Sequence, residues 1–252
     1  MLSCHYILLQ HVDGLLQLLN LQLLEYPMHF PHQRWTCMSS LYNQSLESNV
    51  EKLRQMRQIM KDDGSCSKDV DWGTIDKDMY FYAAGFNDVW KNQSWERCDF
   101  IYDIDNVDEQ HWMAYRYNLI EKTVQIYDSM LKGMKQARAT VAGRHAAIAP
   151  SLYNVNVAKD EDKLDPDVPF KIEYIADVPQ QRNGYDCGIY AVKIVQCLVM
   201  EEPYVGLEEM KFPDYRKKMA TDLVKWVKGK GKGTKLAYEQ QSIPVTVKNP
   251  KK

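Results

Sequence analysis

The sequence predicts one globular domain combining helices with a clustered set of strands, and three observations carry that prediction. Between Asp99 and Asp128 the hydrophobic period shortens to that of strands. On either side of that block, apolar residues recur at helical spacing. After it, the turn PQQRNGYD feeds directly into an apolar run that begins at Cys187. Length and composition suit a single core with ragged ends, at 252 residues, 45% hydrophobic and 26% charged. A net charge of −2 supplies no whole-chain field toward nucleic acid or an anionic membrane.

The first element is a leucine-rich run, Ile7 to Leu24. Gln10, His11, Asp13, Gln17, Asn20 and Gln22 interrupt it, no basic segment precedes it, and no small-residue cleavage site follows. It therefore reads as a buried amphipathic helix, not a signal peptide or a membrane span. YPMHFPHQRW is a proline-bearing loop whose His29 and His32 have no carboxylate or cysteine at ligand spacing, so no metal is expected. Ser48 and Glu51 form a capping box that predicts a helix start, followed by Leu53, Met56 and Met60 on one face and a stop at Asp62-Asp63-Gly64.

FIYDI, HWMAYRYNL and TVQIYDS are rich in aromatic and branched residues and are separated by polar turns, so they read as neighbouring strands. Met130 to Ala149 carries alanines and no proline and reads as a helix. KLDPDVPF is a loop and FKIEYIADV a further strand. A helix of about 14 residues then starts at Cys187. A last helix begins near Pro213 and places Tyr215, Met219, Leu223 and Trp226 on one face. The remaining tail is basic and polar and reads as flexible. Its lysines raise the idea of nucleic-acid binding, but a solvated tail is the simpler reading.

Six cysteines, Cys4, Cys37, Cys66, Cys98, Cys187 and Cys197, contain no C-x-x-C pair. That argues against a zinc site or disulfide framework and for a reducing compartment. Cys187 stands apart because a helix N-terminus lowers a thiol pKa through unsatisfied N–H groups and the positive dipole end. Asn183-Gly184 permits a sharp turn there, and Gly188 leaves the backbone open to a substrate chain. On the residues alone, Cys187 is either a nucleophile or a buried apolar side chain, and for Cys197 we take the latter reading.

A catalytic cysteine needs a base and a group that orients the base. His111 opens the strand HWMAYRYNL and Asp128 ends TVQIYDS, so antiparallel pairing of the two would bring them together. Taken singly, a strand-end histidine and a turn aspartate are ordinary. Gln181 could supply a side-chain amide to an oxyanion beside the backbone N–H of Cys187.

In combination, HW, then a strand ending YDS, then QQRNGYDCG resembles the catalytic pattern of the Ulp/SENP family of SUMO proteases, in that family's own order of His, Asp, Gln and Cys. The resemblance runs from about Met79 to Glu202, and the segment before it is similar to transposon-associated plant members. It implies a papain-like α+β fold with a central mixed sheet flanked by helices and the nucleophile at a helix N-terminus. It divides the chain into a divergent or truncated N-terminal part (1–78), a catalytic core (79–227) and a basic tail (228–252). It further implies cleavage after the C-terminal Gly-Gly of SUMO or a related ubiquitin-like modifier, with His111, Asp128, Gln181 and Cys187 catalytic. Trp112 and Gly188 would line the substrate channel.

The expected partners are a ubiquitin-like protein and its conjugates, in an intracellular, nuclear setting, with no membrane. No cofactor is called for, since side chains alone carry the chemistry. Nothing in the sequence bears on oligomeric state. One position departs from the pattern: CHYILLQHVDGLL lacks the Trp that the family places before its first helix, where Tyr6 or Ile7 falls instead. That departure motivates the alternative expectation of a member that binds a ubiquitin-like protein without cleaving it.

Overall fold

The computed structural model describes residues 35–38, 40–62, 64, 77–85, 93–108, 110–132, 135–155, 157, 159–204, 207, 212–217 and 221. The leucine-rich run, His29, His32, Tyr6, Ile7 and the lysine-rich tail lie outside them. A five-stranded sheet runs in chain order: β1 (Trp35–Cys37), β2 (Phe100–Val107), β3 (His111–Asn118), β4 (Thr123–Tyr127) and β5 (Lys171–Tyr174). The pairs β2/β3 and β3/β4 are antiparallel, whereas β1/β2 and β4/β5 are parallel. Among the described residues four helices flank it: α1 (Ser40–Asp62), α2 (Lys77–Ala84), α3 (Lys135–Asn154) and α4 (Cys187–Val199). The architecture is α+β with a mixed sheet, as expected.

Helices cover both faces of the sheet, which explains the nearly continuous burial of β3 and β4. Met113, Tyr115 and Tyr117 of β3 join Leu46, Val50 and Leu53 of α1 and Ile148 and Leu152 of α3 in one core. Trp112 and Ala114 turn to the other face and pack with Cys187, Tyr190 and Ile194 of α4. The β3–β4 turn is set by Asn118, whose Oδ1 accepts the N–H groups of Ile120 and Glu121 at 3.1 and 3.0 Å, with Lys122 taking a positive φ of 56°.

Three expectations are corrected. Helix α1 starts at Ser40, so Ser48 is no cap: Leu46 lies on the same buried stripe as Val50 and Leu53, and the apolar face extends upstream of the capping-box motif. Helix α3 starts at Lys135, not Met130: the Met130 and Leu131 carbonyls, which a helix would commit to its own N–H groups, are turned to the Arg138 guanidinium and accept from it, each at 2.9 Å. It also runs past Ala149 through Pro150 to Asn154. The carbonyl of Ala146, which Pro150 cannot serve, accepts the N–H of Phe170 at 3.0 Å, so the proline costs the helix no unsatisfied acceptor.

Candidate active site

The site forms at one end of the sheet, where β3 begins and β4 ends. In the β3/β4 register Ala114 faces Tyr127, so Asp128 continues opposite Met113 and His111 becomes its diagonal neighbour on the same face. Their side chains meet in the interior, with His111 Nε2 2.7 Å from Asp128 Oδ1 and both residues 1% exposed. This is the meeting that antiparallel pairing predicts.

Cys187 approaches the same sheet end as the first residue of α4 and is 5% exposed. The turn before it is shaped by Asn183: its Oδ1 accepts the N–H groups of Tyr185 and Asp186, both at 3.0 Å, and its Nδ2 donates to Asp186 Oδ2 at 2.5 Å. Gly184 is not in the left-handed region, and the Asn183 side chain shapes the turn. Asp186 is further gripped by Arg216 from the helical segment 212–217, and its carbonyl accepts the N–H groups of Ile189 and Tyr190 at 3.0 Å. The first turn of α4 is thus anchored on both sides of the thiol.

The electrostatics follow from this packing. Burial alone would push the His111 imidazolium down, but the hydrogen bond to Asp128 and the neighbouring Cys187 thiol outweigh it and raise the pKa to about 9. Burial pushes the Cys187 thiol up, and the interaction with His111, with the backbone N–H groups of Trp112 and Gly188, brings it below its ordinary value. Asp128 is held below the usual carboxylate range: burial opposes ionisation, and His111, the Met130 N–H and Arg138 overcome it. Cys197, on the same helix, shifts the opposite way because burial acts on it with little to offset it. Among the described residues Nδ1 of His111 has no hydrogen-bond partner.

Gln181 is brought to the site by its backbone N–H, which donates to the Ser129 carbonyl at 2.8 Å. The Ser129 hydroxyl donates to its Oε1 at 2.8 Å, fixing which way the amide faces. Its Nε2 donates to the Asn183 carbonyl at 2.5 Å and otherwise meets the Met130 thioether at 3.8 Å, a weak acceptor. One amide N–H is therefore held loosely enough to turn toward a better acceptor. Trp112 is 4% exposed and packs within the α4-side core, and Gly188 is half-buried beside Cys187. Sequence reasoning missed Arg138, a buried guanidinium of α3 bound to Asp128, because an arginine in an alanine-rich helix gives no local sign of its partner.

A thiol at a helix start, an imidazole coupled to it and a buried carboxylate behind the imidazole make up the arrangement that defines the cysteine-peptidase class of site. The chain belongs to the Ulp1 protease family: the model of that family's C-terminal catalytic domain matches residues 22–227. Among curated proteins it is similar to ubiquitin-like-specific protease 1A of Arabidopsis thaliana, 32% identical over 88 residues, covering 34% of this chain and 15% of that protein. A sentrin-specific protease of Caenorhabditis elegans is 26% identical over 117 residues, covering 45% of this chain and 15% of that protein. The matches thus span a small part of those relatives. Among solved structures, the Ulp1 protease domain in complex with Smt3, the yeast ortholog of SUMO, aligns with a TM-score of 0.45 at 16% identity over 77% of this chain and 66% of that one. Among the described residues no helix is long and apolar enough to cross a membrane.

Proposed function

We propose that this chain is a cysteine-type peptidase or isopeptidase that cleaves after the C-terminal Gly-Gly of SUMO or a related ubiquitin-like modifier. One observation carries the chemistry: Cys187, His111 and Asp128 converge in a buried cluster that lowers the thiol's proton affinity and raises the imidazole's. Membership of the Ulp1 protease family and the similarity to ubiquitin-like-specific and sentrin-specific proteases support the substrate class.

In this reading the Cys187 thiolate attacks the carbonyl carbon of the terminal glycine. The oxyanion is held by the Cys187 backbone N–H and the Gln181 amide. His111, protonated by the thiol, gives its proton to the departing amine as the C–N bond breaks, leaving a thioester. A water molecule then attacks the thioester, passing its proton through His111 back to the thiol and releasing the modifier's carboxylate. Asp128 keeps the imidazole in one orientation throughout. Trp112 and Gly188 would border the channel for the two glycines, where a residue with a side chain would not pass. A nuclear, intracellular setting and modifier conjugates as partners belong to the same proposal.

The test is cleavage of a SUMO precursor extended beyond Gly-Gly, run with the full chain and with Cys187→Ser. Release of the extension by the wild type, abolished by the substitution while binding persists, is the expected result. Equal turnover in both proteins would refute it. A wild type that binds the modifier yet releases nothing would favour the non-cleaving reading that the missing N-terminal Trp motivates.

A further inference from the structure

The carboxylate behind His111 is itself held, and the group that holds it comes from the helix layer opposite the nucleophile. Arg138 stands in the first turn of α3 with its side chain 7% exposed. Its Nη1 donates to Asp128 Oδ2 and, at 2.9 Å, to the Met130 carbonyl; its Nη2 donates to the Leu131 carbonyl at 2.9 Å. The other carboxylate oxygen, Oδ1, accepts from His111 Nε2 and from the Met130 N–H, both at 2.7 Å. Each oxygen of Asp128 therefore has its own partners, and the carboxyl plane cannot rotate without breaking bonds on both sides.

Helix energetics do not explain a cation at this address. The N-terminal turn carries the positive end of the helix dipole and favours acidic residues, so a buried arginine there is opposed by its own helix. The charge balance of the site does explain it. With the thiol and imidazole in their ion-pair form, Cys187, His111 and Asp128 sum to one negative charge in a nearly dry region, and Arg138 brings that sum to zero.

We propose that Arg138 is a positioning residue of this site: it clamps Asp128 so that one oxygen stays aimed at His111, and it neutralises the carboxylate that a thiolate–imidazolium pair leaves uncompensated. The inference rests on the reading of Cys187, His111 and Asp128 given above. Arg138 touches neither thiol nor substrate channel and acts through Asp128. The other groups facing that carboxylate are His111 and the Tyr115 phenol from β3, with Cys187 of α4 beyond the imidazole and the neutral Gln180 amide on the Asp128 carbonyl at 3.0 Å. The carbonyls that Arg138 binds belong to the segment whose Met130 sulfur meets the Gln181 amide, so the orienting carboxylate and the oxyanion donor share one braced loop.

The test is the pH dependence of Cys187 alkylation by iodoacetamide, followed on the Cys187 peptide by mass spectrometry in the full chain. The variants are Arg138→Met, Arg138→Lys, Asp128→Asn and the double Arg138→Met/Asp128→Asn, each checked for folding by circular dichroism. Wild type should alkylate at pH values below the ordinary thiol range. Arg138→Met should slow alkylation on the acid side about tenfold, the equivalent of one pH unit in thiol ionisation. Arg138→Lys should recover most of that loss, and the double variant should match Asp128→Asn, since Arg138 acts through Asp128. A folded Arg138→Met with the wild-type profile overturns the inference, as does a double variant whose two effects add. If Arg138→Met does not fold, the comparison of the double variant with Asp128→Asn decides in the same way. An ordinary thiol profile in the wild type would instead overturn the reading of Cys187, and this inference with it.

Discussion

His111 and Asp128, one opening β3 and the other directly following β4, meet at 2.7 Å through Nε2 and Oδ1 with both side chains out of solvent. That bond commits Nε2 to the carboxylate and fixes the tautomer, so the neutral ring presents its lone pair from Nδ1. In the proposed mechanism Nδ1 is then the atom that would exchange a proton with the Cys187 thiol. A diagonal pair across two antiparallel strands thus decides which way the base points.

Removing the base should expose how far the thiol depends on it. His111→Ala should slow alkylation of Cys187 near neutral pH at least tenfold while leaving Cys197, whose thiol is raised by burial, unreactive in both proteins. Peptide-resolved mass spectrometry reads both sites in one sample, and equal Cys187 reactivity with and without His111 would mean the two groups are not coupled.

The pH dependence has a defined sign. His111, raised from 6.5 to about 9, adds stability that is fully present below 6.5 and is lost as the pH climbs through about 9. Cys187 is lowered, so its contribution grows as the pH rises toward the ordinary thiol range and offsets that loss. Asp128, also lowered, withdraws its contribution on the acid side as it protonates. Cys187→Ala should therefore lose melting temperature more steeply than the wild type above pH 6.5. In the same window peptidase activity should fall as the pH passes about 9. Parallel melting curves for the two proteins would contradict the coupling.

Gln181 should act on turnover more than on binding. Loss of one oxyanion donor costs about a hundredfold to a thousandfold in kcat. Gln181→Ala is expected to fall in that range with KM little changed. Ser129→Ala, which frees the amide to flip, should fall between that variant and the wild type. Steady-state kinetics on a fluorogenic modifier substrate separates the two parameters, and a Gln181→Ala variant altered in KM alone would assign the residue to binding.

What the sequence made legible was whatever depended on local pattern. The strand period of FIYDI, HWMAYRYNL and TVQIYDS located β2, β3 and β4, and antiparallel pairing brought His111 and Asp128 together. The apolar run after Cys187 located the start of α4. What escaped were contacts chosen by tertiary structure. Ser48 and Glu51 satisfy a capping rule, yet Leu46 extends the buried face past them and the helix follows its packing. Met130 and Leu131 resemble helix, yet the Arg138 guanidinium takes their carbonyls. Arg138 resembles a solvated charge until the fold sets it against Asp128.

Stability should separate from chemistry on the far face of the sheet. Trp95 is fully buried against Tyr117, with ring centroids 5.4 Å apart, in the core beneath α1 and α3. Trp95→Ala should cost about 3–5 kcal/mol in urea unfolding. The alkylation rate of Cys187 in the remaining folded protein should not change. A variant of unaltered stability would show that this core does not carry the sheet.

The central claim is that Cys187 is a nucleophile directed at a ubiquitin-like C-terminus. Its most direct measurement is reaction of the full chain with SUMO and ubiquitin probes that carry a C-terminal electrophile, beside Cys187→Ala. The account predicts a covalent adduct with the SUMO probe that disappears in the variant. Persistence of that adduct in Cys187→Ala, or no adduct from a folded wild type that still binds the probe, would contradict it.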